Sequence, residues 1–237
     1  MSGRAYYHVG SCRSRVICVY GVGSHRQFAA ISFEASRRYA IRWKWDVVAS
    51  CEPELALGRP ASWAKVQLVL DLMRMYEWVW LIDADALIVD LYQDVFEGID
   101  PNRGPIWLAG HPQGREPDHV VENAGVMLVR ATPDAEQFLN DVWAATDFID
   151  HNWWENAAIL HLIGRDLEPP YSRDQETTHA TLVAELPLRW NAVPRYIECA
   201  GAALHHHSRA DHDDFGLRLA AMEADLGRTG SVQVESW

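Results

Sequence analysis

Cysteine is scarce in this 237-residue chain, and its four copies show no pairing by spacing. Cys12, Cys18, Cys51 and Cys199 form no CxxC, which argues against a zinc framework or a disulfide scaffold and fits a reducing cytoplasm. No apolar run approaches the ~18 residues that a membrane span needs, so no integral membrane segment is expected. The N-terminal MSGRAYYHVGSCRSR lacks the apolar h-region and cleavage pattern of a signal peptide. Positive charge is also short: 21 Lys and Arg stand against 33 Asp and Glu, a formal net charge of -12. A chain of that sign is not built to hold a polyanion along its surface, so nucleic acid is not an expected partner. A small anionic ligand stays open, held through a few local basic groups or a bridging metal. What is present is the composition of a soluble globular chain, long enough to bury one full core.

The most informative stretch is VWLIDADALIV, residues 79–89. Its length and Ile, Leu, Val and Trp content predict one buried strand, yet Asp83 and Asp85 interrupt it. Taking two like-charged carboxylates out of water costs several kcal/mol each, so they must sit at a strand end, be protonated, or be balanced by cations. In extended backbone, residues i and i+2 point to one side, so both carboxylates reach a single hard divalent ion such as Mn2+ or Mg2+. The plain alternative is a strand running into an acidic turn or helix cap.

Around this stretch, strands and helices alternate. Residues 15–20 read as a first strand, followed by the turn Gly21-Val22-Gly23-Ser24, with Ser24 as N-cap of a helix through Arg42. Such a turn brings backbone N–H groups to a nucleotide, or simply needs glycine. Residues 45–49 give a second strand, and residues 63–76 an amphipathic helix capped by Ser62. Lys65 lies in its first turn, where a cation opposes the helix dipole; it serves a ligand or is a surface lysine. Residues 106–110 form a further strand, and His111 to His119 a polar loop. The corner Glu122-Asn123-Ala124-Gly125 then runs into a strand through Arg130, and Thr132-Pro133-Asp134 opens a helix with cap, proline and acid in order. A helix from Asn152 towards Gly164 carries Glu155 three residues after Asn152, the spacing of a capping box. Residues 165–180 read as a polar loop, either a cover over a site or an idle surface segment. Late in the chain, Ala202-Ala203-Leu204 leads into His205-His206-His207; strand alternation puts His205 and His207 on one face and His206 on the other. Residues 215–226 form an amphipathic tail helix. The pattern predicts an α/β/α sandwich with a mainly parallel central sheet, which binds ligands at the carboxyl ends of its strands.

Together these pieces resemble the GT-A fold nucleotide-sugar glycosyltransferases, nearest to the fungal galactosyl- and mannosyltransferase and plant xyloglucan xylosyltransferase family. Trp63-Ala64-Lys65, the block Glu77 to Ala86, the Asn123-Ala124-Gly125-Val126 corner, Glu155-Asn156-Ala157-Ala158 and the late histidine strand follow in family order. The resemblance implies a single GT-A domain over residues 1–227, with 228–237 as a disordered tail. It implies a UDP- or GDP-sugar donor, a small-molecule or glycan acceptor, Mn2+ or Mg2+, and retention of anomeric configuration. By position, Asp83 and Asp85 are the metal-binding DxD, with His205 completing the coordination and His207 as runner-up. Glu155 and Asn156, with Asp83, take the catalytic places, standing where the family carries Asp-Gln. Gly21, Gly23, Lys65, Asp83 again, Asn123, Ala124 and Gly125 take the donor-binding ones. Eukaryotic members carry a membrane anchor not seen here, so a cytoplasmic enzyme is expected. Two other readings stand beside it: a metal-dependent phosphoester hydrolase or nucleotidyltransferase drawing on Asp83, Asp85 and the cluster His205, His206, His207, Asp211, His212 and Asp213, and a non-catalytic nucleotide-sugar-binding protein.

Overall fold

A computed structural model describes residues 7–9, 14–112, 120–173, 177–194, 201–208 and 214–229. In chain order the elements are β1 (Tyr7–Val9), β2 (Arg15–Tyr20), α1 (Arg26–Trp43), β3 (Asp46–Ser50), α2 (Ala64–Met73), β4 (Trp78–Asp83), β5 (Ala86–Ile88), β6 (Ile106–Pro112), β7 (Val120–Arg130), α3 (Pro133–Ala144), α4 (Trp154–Leu162), β8 (Val183–Glu185), β9 (Leu204–His206) and α5 (Phe215–Arg228). Seven strands form the central sheet in the order β1-β3-β2-β4-β7-β6-β8, and β5 pairs with β9 in a separate ribbon. From the pairings, β2, β3, β4, β6 and β8 run one way and β1 and β7 the other. The sheet is thus mainly parallel, and the expected α/β/α sandwich is observed.

Both faces of the sheet are covered, which is why its central strands are apolar at consecutive positions. On one face, Val16 and Cys18 of β2, Val79 and Leu81 of β4, and Met127 and Val129 of β7 pack under α2, α3 and α4. On the other, Ile17, Trp80, Ile82, Trp107 and Leu128 pack with Tyr39 of α1, Trp190 and Leu204. A third cluster joins Phe28, Ala29 and Ala35 of α1 to Ala84, Leu87 and Met222, so α5 closes over α1 and the β5–β9 ribbon. Among the described residues, no helix is long and apolar enough to cross a membrane.

Several local expectations change. The stretch 79–89 is not one strand: β4 ends at Asp83, the chain turns at Ala84-Asp85, and β5 begins a new ribbon. Ser24 and Ser62 cap nothing, because each helix is preceded by a short 3-10 turn and the cap positions fall on His25 and Trp63. The Ser62 hydroxyl is buried without a partner. Helix α2 is buried on most sides, so burial rather than capping holds it. Thr132 does cap α3, its side chain accepting from the Ala135 N–H at 3.2 Å. The loop expected after Gly164 is pinned at its start, since Arg165 grips both carboxylate oxygens of Glu122 on β7 at 2.5 and 2.7 Å. Helix α5 continues through Arg228, and residues 230–237 lie outside the described residues, as do Cys12, Cys199 and 113–119. Cys18 and Cys51 are free thiols.

Candidate active site

The alternation of β4 decides where its last carboxylate points. Trp78, Trp80 and Ile82 face the layer of α1, so Val79, Leu81 and Asp83 face α2 and α4. Those helices each present one charged residue to that point. Lys65, 7% exposed, donates to Asp83 Oδ1 at 2.8 Å and to Glu155 Oε1 at 2.7 Å. Burial disfavours the lysine's charge, but the two carboxylates outweigh it and push its pKa above the ordinary value. Glu155 is 4% exposed, and its Oε2 has no partner.

Asp85, one turn further, looks to the other side. Its carboxylate pairs with Arg218 of α5, whose Nε also donates to the His207 carbonyl at 2.6 Å. The β5–β9 register sets Ala86 opposite His206, which brings that ring to the aspartates, its Nε2 lying 3.5 Å from Asp85 Oδ1. The His206 Nδ1 lies 2.9 Å from Asn191 Oδ1, while Asn191 Nδ2 donates to Asn123 Oδ1 at 3.1 Å. That network makes Nδ1 a protonated nitrogen, so the Nε2 facing the carboxylates donates to Asp85 while the ring is charged and offers its lone pair once that proton is displaced, as by a metal ion. Burial pushes Asp83 above the ordinary carboxylate range, with Lys65 opposing and Asp85 adding to the rise. Burial also pushes Asp85 up, but the His206 hydrogen bond and the charges of His206 and Arg218 outweigh it and hold Asp85 at about 2.

Ligand atoms of Asp83, Asp85 and His206 lie within 4.8 Å of one another. Three carboxylates, Asp83, Asp85 and Glu155, face two fixed cations, Lys65 and Arg218, leaving one formal negative charge. Two carboxylate oxygens and an imidazole lone pair suit a divalent cation such as Mn2+ or Mg2+. Gly125 makes the space. A Cβ there would clash with His206 Cε1 and sit 2.8 Å from Asn123 Oδ1 and 2.9 Å from Asp83 Oδ2.

Residues 16–102, which include the Asp83-Ala84-Asp85 turn, match the galactosyl transferase GMA12/MNN10 family. An uncharacterized alpha-1,2-galactosyltransferase of Schizosaccharomyces pombe is 27% identical over 161 residues, 54% of this chain and 43% of that protein. The chain thus spans less than half the length of that curated relative. Among solved structures, a glycosyltransferase involved in the glycosylation of the major capsid of PBCV-1 superposes with a TM-score of 0.59 and 18% identity, over 89% of this chain and 99% of that one. The glycosyltransferase GlyE of Streptococcus pneumoniae TIGR4 gives a TM-score of 0.55 and 11% identity, over 95% of this chain and 66% of that one. The fold is GT-A.

Within this GT-A fold, the structure gathers Asp83, Asp85, Lys65, Glu155, Asn123 and Gly125 at the carboxyl end of β4, in the middle of the sheet. Gly21 joins them, since a Cβ on it would meet Ala84 Cβ at 3.0 Å. Gly23 lies in a positive-φ turn with open space around it. Asn156 and Ala124 stand one layer back: the Asn156 Oδ1 accepts the Ala124 N–H at 2.8 Å and its Nδ2 donates to the Glu122 carbonyl, which ties α4 to β7. Glu155 does not form a capping box, because its carboxylate is turned inward to Lys65. The histidines expected from the sequence, His205 and His207, are not the ones beside the aspartates. The His205 and His207 side chains turn to Asp225, and His206 is the one that meets Asp83 and Asp85. Asp211, His212 and Asp213 lie outside the described residues.

Sequence reasoning missed Arg218 and Asn191. A signal for Arg218 existed: Phe215, Arg218, Met222 and Asp225 step by three and four along the tail helix, so an arginine and an aspartate occupy its apolar stripe. Asn191 had none, being a short side chain in an irregular segment.

Proposed function

We propose that this chain is a metal-dependent glycosyltransferase that moves a sugar from a nucleoside diphosphate sugar to a hydroxyl acceptor. The observation that supports it most is the convergence of Asp83, Asp85 and the His206 Nε2 at the carboxyl end of β4, where open α/β sheets bind ligands. In this reading those three residues hold Mn2+ or Mg2+, with His206 taking the place first expected of His205. Such a cation supplies electrostatic stabilisation of the departing nucleoside diphosphate. Lys65 is a positioning residue: caught between Asp83 and Glu155, it fixes the first aspartate rather than reaching outward to a phosphate. Glu155, with one oxygen unsatisfied, is the carboxylate assigned to steady positive charge at the reacting sugar carbon. The Gly21 turn and Gly125 allow close backbone approach on the donor side. Retention of configuration belongs to the proposal, on the family resemblance. So does a cytoplasmic location, which the free thiols of Cys18 and Cys51 suit.

The test is a panel of UDP- and GDP-sugars incubated with Mn2+ or with a chelator, following nucleoside diphosphate release and sugar transfer to an acceptor pool. Metal-dependent release from one donor is expected, and a fall of at least 100-fold in Asp85→Ala, roughly the loss that removal of one electrostatic group brings. Full metal-dependent transfer by Asp85→Ala would sink the assignment. Phosphoester turnover without a sugar donor would favour a hydrolase, and donor binding without any turnover a non-catalytic binding protein.

A further inference from the structure

The three consecutive histidines of β9 and its exit serve two faces. His206 turns inward, while the His205 Nδ1 and His207 Nε2 converge from the other side on one oxygen of Asp225, at 2.7 and 2.8 Å. We propose that His205, His207 and Asp225 form a second metal site, for a borderline divalent cation of the Zn2+ class, independent of the Asp83, Asp85 and His206 group.

Three observations carry this. First, the ligand atoms lie within 4.8 Å of one another, and a tetrahedral zinc ion needs its ligands about 3.3 Å apart at bonds of about 2.0–2.1 Å. The two N···O separations have to widen by about half an ångström, with the carboxylate swinging aside, to admit the ion between the three donors. Second, the donor set differs in kind from the first group. Two imidazoles and one carboxylate favour Zn2+ or Co2+, whereas two carboxylates and one imidazole favour harder ions. Third, Asp225 is 1% exposed and His207 3%, a burial that an aspartate on a helix stripe tolerates only with strong partners. Arg228 pairs with the other oxygen of Asp225, but its side chain is 70% exposed and free to swing into water when a cation arrives. His205, with 17% of its side chain exposed, is the open side through which an ion and a water ligand enter.

The ion would join α5 to β9. Because Arg218 on the same helix holds Asp85, a staple there also fixes one flank of the first group. The role is therefore structural: binding the ion adds its free energy to the folded state.

The experiment uses the full-length, tag-free chain, stripped with a chelator and titrated with Co2+ alone. One equivalent with the intense visible absorption of a four-coordinate Co2+ centre is expected. The band should persist in Asp85→Asn, which retains all three proposed ligands, and be lost in His205→Ala. Zn2+ should raise the unfolding temperature of the wild type and of Asp85→Asn but not of His205→Ala. Absence of the band in the wild type overturns the proposal whatever the variants do. So does a band that survives in both His205→Ala and Asp225→Asn, or one lost from folded Asp85→Asn.

Discussion

Lys65 shows how one side chain holds two others in place. Removing it leaves Asp83 and Glu155 facing each other in the interior without a cation. Lys65→Met is therefore expected to cost about 3–5 kcal/mol in urea unfolding, the penalty of an uncompensated buried charge. Adding Glu155→Gln should restore part of it, because one of the two charges is then gone. Asn191 acts in a different way, by fixing the tautomer of His206. Asn191→Ala is expected to weaken Mn2+ binding about 10- to 100-fold with little loss of fold, read by calorimetric titration. At this scale the sequence was legible for the carboxylates and the lysine, since charges in apolar surroundings announce themselves. It was not legible for the histidine. Alternation separates His206 from its neighbours, but which face meets the aspartates depends on the β5–β9 register, which no local pattern encodes.

Elements with strong punctuation were read correctly, as β2 with its apolar run and α3 with Thr132-Pro133 show. The break between β4 and β5 was not. A turn made by Ala84 and Asp85 carries no glycine or proline, and its apolar flanks continue the run, so nothing in the pattern marks the change of sheet. That break is what gives Asp83 and Asp85 different partners while keeping them close. On β7 the same end of the sheet depends on a missing side chain. Gly125→Ala is expected to leave the secondary structure intact by circular dichroism while displacing His206, since its new methyl group has no room beside the imidazole. Mn2+ affinity should fall by more than about tenfold, as when a ligand's support is disturbed. Wild-type affinity in that variant would mean that His206 is not a ligand.

For the whole molecule, His111 sets an acid limit. Burial, with the nearby charge of His206 adding to it, pushes its pKa down from 6.5 to about 4. The folded protein thus refuses a proton that the unfolded chain accepts. This group's contribution to stability is fully present above pH 6.5 and is lost as pH falls from there towards about 4. The full effect is about 3 kcal/mol, since each tenfold change in proton affinity is worth about 1.36 kcal/mol. Urea midpoints of the wild type should drop across that window, and His111→Gln, which cannot titrate, should show a flatter profile. The long-range pairing has a consequence for how the chain is made. Arg218 meets Asp85 across 133 residues of sequence, and Glu155 and His206 also follow the aspartates. At synthesis rates of about 5–20 residues per second, the ribosome needs roughly 7–27 s after Asp85 to reach Arg218. For that interval the nascent chain carries its acidic turn beside apolar strands with the late counter-charges still unmade. The matched segment 16–102 is then a fragment that contains the Asp83-Ala84-Asp85 turn and Lys65 but cannot finish the site, and a message cut short before codon 218 would yield a protein with Asp85 deprived of Arg218.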